Sequence, residues 1–153
     1  MSTALHFPID VQEFWRDPYP ALLELSKRDR SVIVTGRVED VRPYMEAASV
    51  YIVPLRIGGG TRLKIYEGMA MEKPIVSTSI GAEGLPVTNG EEIVLADTPE
   101  SFADAVIKLL QNETLADEIG QRAAARVRAE FGWESVADSF AAICERHLLS
   151  AVP

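Results

Sequence analysis

Hydrophobic positions along this chain alternate between short β-branched runs and longer segments with helical spacing. The short runs are predicted strands, at residues 31–35, 50–53, 74–78 and 92–95. The longer segments are predicted helices, at residues 21–28, 40–48 and 61–71. Strands that alternate with helices indicate βαβ units and a parallel sheet. Ligands of such sheets bind beyond the carboxyl ends of the strands, which here means residues 36–37, 54–61 and 79–84.

Three further helices are predicted to finish the chain and to pack on the sheet. Thr98 and Pro99 are typical of a helix cap and a first helical position. Asn112 is predicted to cap the second helix, and the third follows Gly132. In that last helix we expect these apolar residues to face inward: Val136, Phe140, Ile143, Leu148 and, as a packing anchor, Trp133. The predicted fold class is α/β, a Rossmann-like three-layer domain with a parallel sheet of about four strands.

The first 30 residues have the least regular pattern of the chain. Aromatic residues alternate there with prolines, and only the helix predicted at 21–28 stands out. We therefore separate an N-terminal segment at residues 1–30 from a regular α/β domain at residues 31–150.

Composition excludes several classes of protein. The net charge is −8, which argues against nucleic acid as a partner because phosphate backbones are bound by excess Lys and Arg. Cys144 is the only cysteine, so no intrachain disulfide forms. His6 and His147 lie far apart, and we expect no metal site. No apolar run is long enough for a transmembrane helix and the first residues do not resemble a signal peptide, so a cytoplasmic location is expected.

The candidate chemistry lies at residues 54–67, where a strand ends, three glycines follow and a helix begins. Glycines let the backbone approach a ligand closely, and a helix N-terminus attracts anions. Arg62 and Lys64 oppose the helix dipole unless an anion, such as a diphosphate, binds in front of them. Glu67, a turn further on, suits the two hydroxyls of a ribose. A flexible loop with solvated charges is the alternative interpretation of the same residues.

Residues 58–78 resemble the donor site of family-4 glycosyltransferases. The neighbouring segments 34–41, 81–85 and 131–134 resemble the same family in order and spacing. Those enzymes are retaining and have the GT-B fold, which consists of two Rossmann-like halves. The resemblance implies transfer of a sugar from a UDP- or GDP-linked donor to a glycan, a lipid or a small molecule. It implies no cofactor, because the nucleotide sugar is itself a substrate.

The resemblance assigns roles residue by residue. Glu67 corresponds to the second glutamate of the Glu-x7-Glu motif, which binds the donor ribose. The first glutamate falls at Gly59, a loss shared by members with a Gly-Gly-Thr-Arg-Leu-Lys loop, so this position is not expected to recognise a hexose. Arg62 and Lys64 are implied to stabilise the leaving diphosphate. The other implied donor contacts are Gly59, Gly60, Thr61 and Leu63 in the loop, and Gly36, Arg37 and Val38 beside the nucleobase.

The resemblance covers only part of the family's architecture. The acceptor-binding N-terminal half is missing, and residues 1–30 are interpreted as a remnant of the first βαβ part of the donor half. We therefore expect one incomplete half of a GT-B fold without turnover of its own. Its expected partners are the nucleotide sugar and the missing acceptor domain, and membrane association is compatible with the full enzyme. Exposed apolar surface would favour self-association. A non-catalytic α/β binding or regulatory module is the alternative.

Overall fold

The computed structural model describes residues 9–11, 20–58 and 62–150. Its elements in chain order are β1 (Ile9–Val11), α1 (Pro20–Arg28), β2 (Val32–Val34), α2 (Arg42–Ala47), β3 (Tyr51–Val53), α3 (Leu63–Ala70), β4 (Ile75–Ser77), β5 (Val94–Leu95), α4 (Pro99–Gln111), α5 (Glu113–Phe131) and α6 (Trp133–Ser150). The chain divides into two compact units, residues 1–44 and 45–153. Among the described residues, no helix combines the length and the apolar character needed to cross a membrane.

The unit at residues 1–44 contains a parallel pair of strands, β1 and β2, in which Ile9 lies opposite Val32. β1 was not predicted, because a run of three residues is too short to give a strand pattern. Asp40 accepts a hydrogen bond from the backbone N–H of Arg42 at 3.0 Å and also pairs with its guanidinium. These hydrogen bonds lower the pKa of Asp40 to about 2. Asp40 thus closes the turn that leads into α2.

The unit at residues 45–153 contains a parallel sheet in the order β3-β4-β5. Tyr51 lies opposite Ile75, and Val76 lies opposite Val94. The predicted α/β class with parallel strands is confirmed. The four predicted strands all form, but they are shared between two sheets, since β2 pairs with β1.

The core lies on both faces of the central strand β4, whose three residues are all buried. Ile75 belongs to a cluster with α3 and α5, and Val76 to a cluster with α4 and α5. Neighbouring residues of a strand point to opposite faces, so the two clusters lie on opposite sides of β4. Both predicted helix caps are confirmed: Thr98 caps α4 in a capping box with Ser101, and the Asn112 side chain caps α5.

Helix α5 passes very close to the turn between α3 and β4. A Cβ added to Gly120 would lie 2.1 Å from the carbonyl oxygen of Glu72. Glu72 itself has a φ of 58°, a left-handed conformation that few residues other than glycine adopt. The same turn carries Lys73, whose Nζ donates to the carbonyl oxygens of Glu46 at 2.7 Å and Ala48 at 3.2 Å. Gly120 is therefore required by packing.

The outer face of α6 differs from the prediction. Trp133 is 90% exposed and Phe140 is 68% exposed, so the expectation that these residues pack inward is wrong. Val136 and Ile143 are also exposed, and the side chain of Leu148 lies outside the described residues. An aromatic contact is made instead by Phe131, which is 46% exposed and whose ring centroid lies 4.6 Å from that of Tyr66. The extended backbone of Gly132 separates Phe131 from α6. The apolar residues of α6 are therefore not in helical register with Phe131.

A buried carboxylate joins α5 to the segment before β5. Glu92 accepts hydrogen bonds from the backbone N–H of Thr88 at 2.8 Å and from Nη1 of Arg126 at 2.9 Å. Burial opposes the ionisation of Glu92, but these two donors outweigh it and hold its pKa below the usual value. Arg126 also pairs with Glu130, with Nε 3.1 Å from the carboxylate.

We predict that Glu92→Gln lowers the free energy of unfolding at neutral pH by about 1.5–3 kcal/mol, the range for hydrogen bonds to charged groups. A carboxyl group with a depressed pKa contributes stability above its unfolded pKa and loses it as the pH falls through the folded pKa. The difference from the native chain should therefore shrink below pH 4.5, the usual value for Glu. Urea denaturation across the acid range measures it. Glu91→Gln, at the exposed neighbouring position, is the control, and equal effects of the two variants would contradict the prediction.

We also predict that the chain self-associates through the exposed face of α6. Contiguous exposed apolar residues favour association because burying them removes apolar surface from water. Sedimentation velocity should show a molecular mass that rises with concentration, and the Trp133→Ser/Phe140→Ser variant should remain a monomer. Ile57→Ser is the matched control, since Ile57 is also 90% exposed but lies outside α6. A monomeric native chain at all concentrations is the opposing outcome.

Candidate functional site

The carboxyl ends of β3, β4 and β5 lie along one edge of the sheet because the three strands run parallel. Ligands of open parallel sheets bind beyond that edge. The described segments that emerge there are residues 54–58, 78–84 and 96–98. They form the candidate site of the unit at residues 45–153.

Helix α3 begins directly after the glycine loop. Among the described residues, no side chain caps its N-terminus, and its first turn contains no acidic residue. An uncapped helix start presents free N–H groups and a partial positive charge. The half-buried side chain of Lys64 adds a cation to this turn. Gly59, Gly60 and Thr61 lie outside the described residues, so their implied donor contacts stay predictions.

Arg62 is the buried cation of the site, with 7% of its surface exposed. Its Nη2 atom donates to the carbonyl oxygens of Gly58 at 3.1 Å and Ile80 at 2.7 Å. The Glu83 carboxylate lies 3.7 Å from the same nitrogen. Within the described part of the chain, the buried Nε of Arg62 has no hydrogen-bond partner. The guanidinium therefore joins the glycine loop to the loop after β4 and keeps one donor unused.

Lys64 and Glu67 are three residues apart on α3, so they lie on the same side of the helix. Neither side chain makes a hydrogen bond or an ion pair with the part of the chain that the structure describes. Glu67 is exposed and lies near Tyr51. The pKa of Tyr51 is raised to about 12, mainly because the tyrosine is partly buried and to a lesser extent because of the negative charge of Glu67. Leu63, at the start of the helix, is 61% exposed. All three side chains are thus available to a ligand.

Thr78 fixes the loop after β4. Its backbone N–H donates to the carbonyl oxygen of Val53 at 3.3 Å, and its hydroxyl donates to that of Leu55 and accepts from the N–H of Gly81 at 2.9 Å. A Cβ on Gly81 would lie 2.4 Å from the hydroxyl oxygen of Ser77, so only glycine fits. Sequence reasoning missed Thr78, because a hydroxyl at the end of a strand carries no distinguishing pattern.

An open cleft of about 580 Å³ lies at this edge of the sheet. Its lining residues are Leu55, Arg56, Thr78, Ser79, Ile80, Asp97, Thr98 and Pro99. Asp97 accepts hydrogen bonds from the N–H and from the hydroxyl of Ser79, both at 2.7 Å. Together these two donors hold the pKa of Asp97 below its usual value. Sequence reasoning placed Ser79 at the ligand edge but missed Asp97, although its position just after the last predicted strand was a signal.

The residues predicted to border the nucleobase belong to the unit at residues 1–44. Gly36 follows β2 with a φ of 66°, which favours glycine at this turn. Arg37 is exposed and Val38 is half-buried. Their roles toward a nucleobase stay predictions.

Residues 15–112 match the family described as Glycosyl transferases group 1. An uncharacterised glycosyltransferase of Methanocaldococcus jannaschii is 30% identical over 98 residues, which cover 63% of this chain and 27% of that protein. A lipopolysaccharide core biosynthesis mannosyltransferase of Rhizobium leguminosarum bv. viciae is 27% identical over 114 residues, which cover 73% of this chain and 32% of that protein.

A solved structure shows the same likeness. Sucrose-phosphate synthase from Thermosynechococcus elongatus matches with a TM-score of 0.69 and 25% identity, over 86% of this chain and 34% of that chain. The chain therefore spans about a third or less of the length of the proteins it matches.

We predict that Arg62→Ala releases the two loops that the guanidinium joins. Amide hydrogen exchange at residues 56–58 and 80–84 should rise by about tenfold or more, since these loops would open locally. The free energy of unfolding should fall by about 1.5–3 kcal/mol, as for other hydrogen bonds to a charged group. Lys64→Ala is the matched control and should leave both unchanged, because the Lys64 side chain makes no hydrogen bond to the described chain. Unchanged exchange in Arg62→Ala would refute the bridging role.

Proposed function

Because this chain belongs to the Glycosyl transferases group 1 family, we propose that its unit at residues 45–153 binds the diphosphate of a nucleotide-sugar donor. The observation that carries the proposal is the start of α3, which no side chain among the described residues caps and which follows the three glycines in the sequence. Unsatisfied N–H groups and a helix dipole make such a position an anion site.

The two cations of this turn have different parts in the proposal. Lys64 places beside the helix start an ammonium that has no ion pair among the described residues, and there it neutralises the charge on a departing diphosphate. Arg62 adds positive charge from a buried position, where electrostatic interactions are less screened than in water. Its free Nε offers one further donor. Arg62 also holds Gly58 in place, so it shapes the loop on which the diphosphate rests.

Glu67 is proposed to bind the ribose. It lies one turn beyond Lys64 on the same side of α3, and its carboxylate makes no hydrogen bond to the described chain. An ionised carboxylate has two oxygens and accepts bonds from two adjacent hydroxyls. Gly36, Arg37 and Val38 are proposed to border a uracil or guanine base. We propose a UDP- or GDP-linked donor, as the resemblance to family-4 glycosyltransferases implies.

The proposed reaction is glycosyl transfer with retention of configuration. The bond between the sugar and the diphosphate oxygen breaks, and a bond to an acceptor hydroxyl oxygen forms on the same face of the sugar. The chain's part is to stabilise the charge that develops on the leaving diphosphate, through the α3 N–H groups, Arg62 and Lys64. No protein nucleophile, metal or cofactor is assigned a step in this proposal.

The acceptor side of the reaction is proposed to belong to a second domain. The relatives are about three to four times as long as their matched segments, which leaves room for an acceptor-binding half. Holding two reactants together supplies about 7–11 kcal/mol of barrier reduction, and a single donor-binding unit lacks most of it.

We predict that Glu67→Ala weakens binding of UDP and GDP by about tenfold but leaves binding of inorganic pyrophosphate unchanged, because only the nucleotides carry ribose. Isothermal titration of each ligand measures this difference. Glu145→Ala, an exposed carboxylate on α6, is the control. Equal losses for nucleotide and pyrophosphate would refute the ribose role. No binding of any of these ligands to the native chain would favour a non-catalytic module.

We also predict that the 153-residue chain alone does not transfer sugar to an acceptor. The test incubates it with labelled UDP- and GDP-sugars and with lipid and saccharide acceptors. Slow hydrolysis of the donor is compatible with the proposal, since water reaches an open site. Acceptor-dependent turnover near ~1 s⁻¹, as ordinary enzymes show, would contradict the need for a second domain.

A further inference from the structure

Glu83 is a charged residue of the candidate site that has no part in the function proposed above. It lies in the loop after β4, and its carboxylate is 3.7 Å from Nη2 of Arg62. The two side chains differ sharply in exposure, since 7% of the Arg62 side chain is accessible to solvent against 74% of the Glu83 side chain. The buried cation of the site therefore has an exposed anion beside it.

This ion pair is held loosely. Both hydrogens of Nη2 are already engaged, because this atom donates to the carbonyl oxygens of Gly58 and Ile80. The attraction between Arg62 and Glu83 is thus Coulombic, with no hydrogen bond to fix it. The Glu83 carboxylate makes no hydrogen bond with the rest of the described chain either. Ion pairs with an exposed partner contribute little free energy, so a competing anion meets little resistance here.

The remaining nitrogens of the Arg62 guanidinium keep donors for a ligand. A Cβ added to Gly58 would lie 3.6 Å from Nη1, which places this atom close to the glycine loop. Among the described residues Nη1 has no hydrogen-bond partner, and the same holds for the buried Nε. Donors left unsatisfied on a buried charged group cost free energy. An anion that reached them would gain more than the Glu83 carboxylate does at Nη2.

Removal of the carboxylate from Arg62 requires no change of the backbone. The N–H of Glu83 donates to the carbonyl oxygen of Ile80 at 3.3 Å, and the N–H of Ala82 donates to that of Thr78 at 3.0 Å. These turns fix the loop, whereas the exposed Glu83 side chain has other staggered rotamers available to it. A rotation of the side chain alone therefore separates the two charges.

We propose that Glu83 is the counter-ion of Arg62 in the empty site and that the diphosphate of the donor displaces it. The proposal rests on the proposed function, because it concerns the same diphosphate site. A carboxylate and a diphosphate repel each other, so both do not remain beside one buried cation without a cost. A ligand must separate Glu83 from Arg62 before it gains the full attraction of the guanidinium. Glu83 thus lowers the affinity of the site for anions.

The test is isothermal titration of the full chain with inorganic pyrophosphate, UDP and UDP-glucose. Glu83→Gln keeps the size and polarity of the side chain but removes its charge. We expect this variant to bind pyrophosphate and UDP about two- to fivefold more tightly, the range that corresponds to loss of an exposed ion pair. Glu91→Gln is the matched control, because it is exposed and changes the net charge equally but lies before β5, away from the ligand edge. Its affinities should equal those of the native chain.

A second comparison tests whether the effect depends on Arg62. In an Arg62→Ala background, Glu83→Gln should leave the affinity for pyrophosphate unchanged, because the cation for which both anions compete is gone. Equal tightening with and without Arg62 would overturn the proposal, as would unchanged or weaker pyrophosphate binding when Arg62 is present. Weaker binding of UDP-glucose with an unchanged affinity for pyrophosphate would assign Glu83 to sugar hydroxyls and would overturn it as well.

The native chain separates this inference from the proposed function. Its binding of pyrophosphate and UDP tests the diphosphate site itself, whereas the difference between the native chain and Glu83→Gln tests the exchange of counter-ions. Native binding without that difference would leave the diphosphate site standing and remove the exchange. No binding of any of these ligands to either chain would remove both.

Discussion

The ligand edge of this protein depends on a buried guanidinium. A cation that is only 7% exposed needs polar partners, because its desolvation is costly. Arg62 finds them in the carbonyl oxygens of Gly58 and Ile80, which belong to two different loops. The same side chain therefore fixes the glycine loop before α3 and one wall of the cleft beside it. Hydrogen bonds of the Thr78 hydroxyl to Leu55 and Gly81 add a second link between the segment after β3 and the loop after β4.

Most of the secondary structure followed from the sequence, because it is determined locally. The caps at Thr98 and Asn112 are satisfied within three residues of themselves, and their predicted helices start where expected. Side-chain contacts between residues far apart in the sequence could not be predicted from local patterns. Arg62 was predicted to contact a diphosphate, but its hydrogen bond to Ile80, 18 residues away, could not be predicted from the sequence. The hydrogen bond between Asp97 and Ser79, which follows the neighbouring strand, likewise could not be predicted from the sequence.

Charge is distributed unevenly between the chain and its candidate site. The chain carries a net charge of −8, yet Arg56, Arg62 and Lys64 lie within nine residues of one another at the ligand edge. Salt screens charges separated by more than about 8–10 Å, so a phosphate at this edge would respond mainly to the local cations. A composition that argues against long polyanions is thus compatible with a site for a small one.

The close approach of α5 to the turn at Glu72 also constrains how this sequence can change over time. No side chain fits at position 120 unless the Glu72 carbonyl moves, and that turn carries Lys73. The ammonium group of Lys73 holds the carbonyl oxygens of Glu46 and Ala48, so any displacement would be passed on to the end of α2. Positions 72, 73 and 120 are thus expected to vary in concert across diverging homologues, as a coupled set rather than as three independent sites.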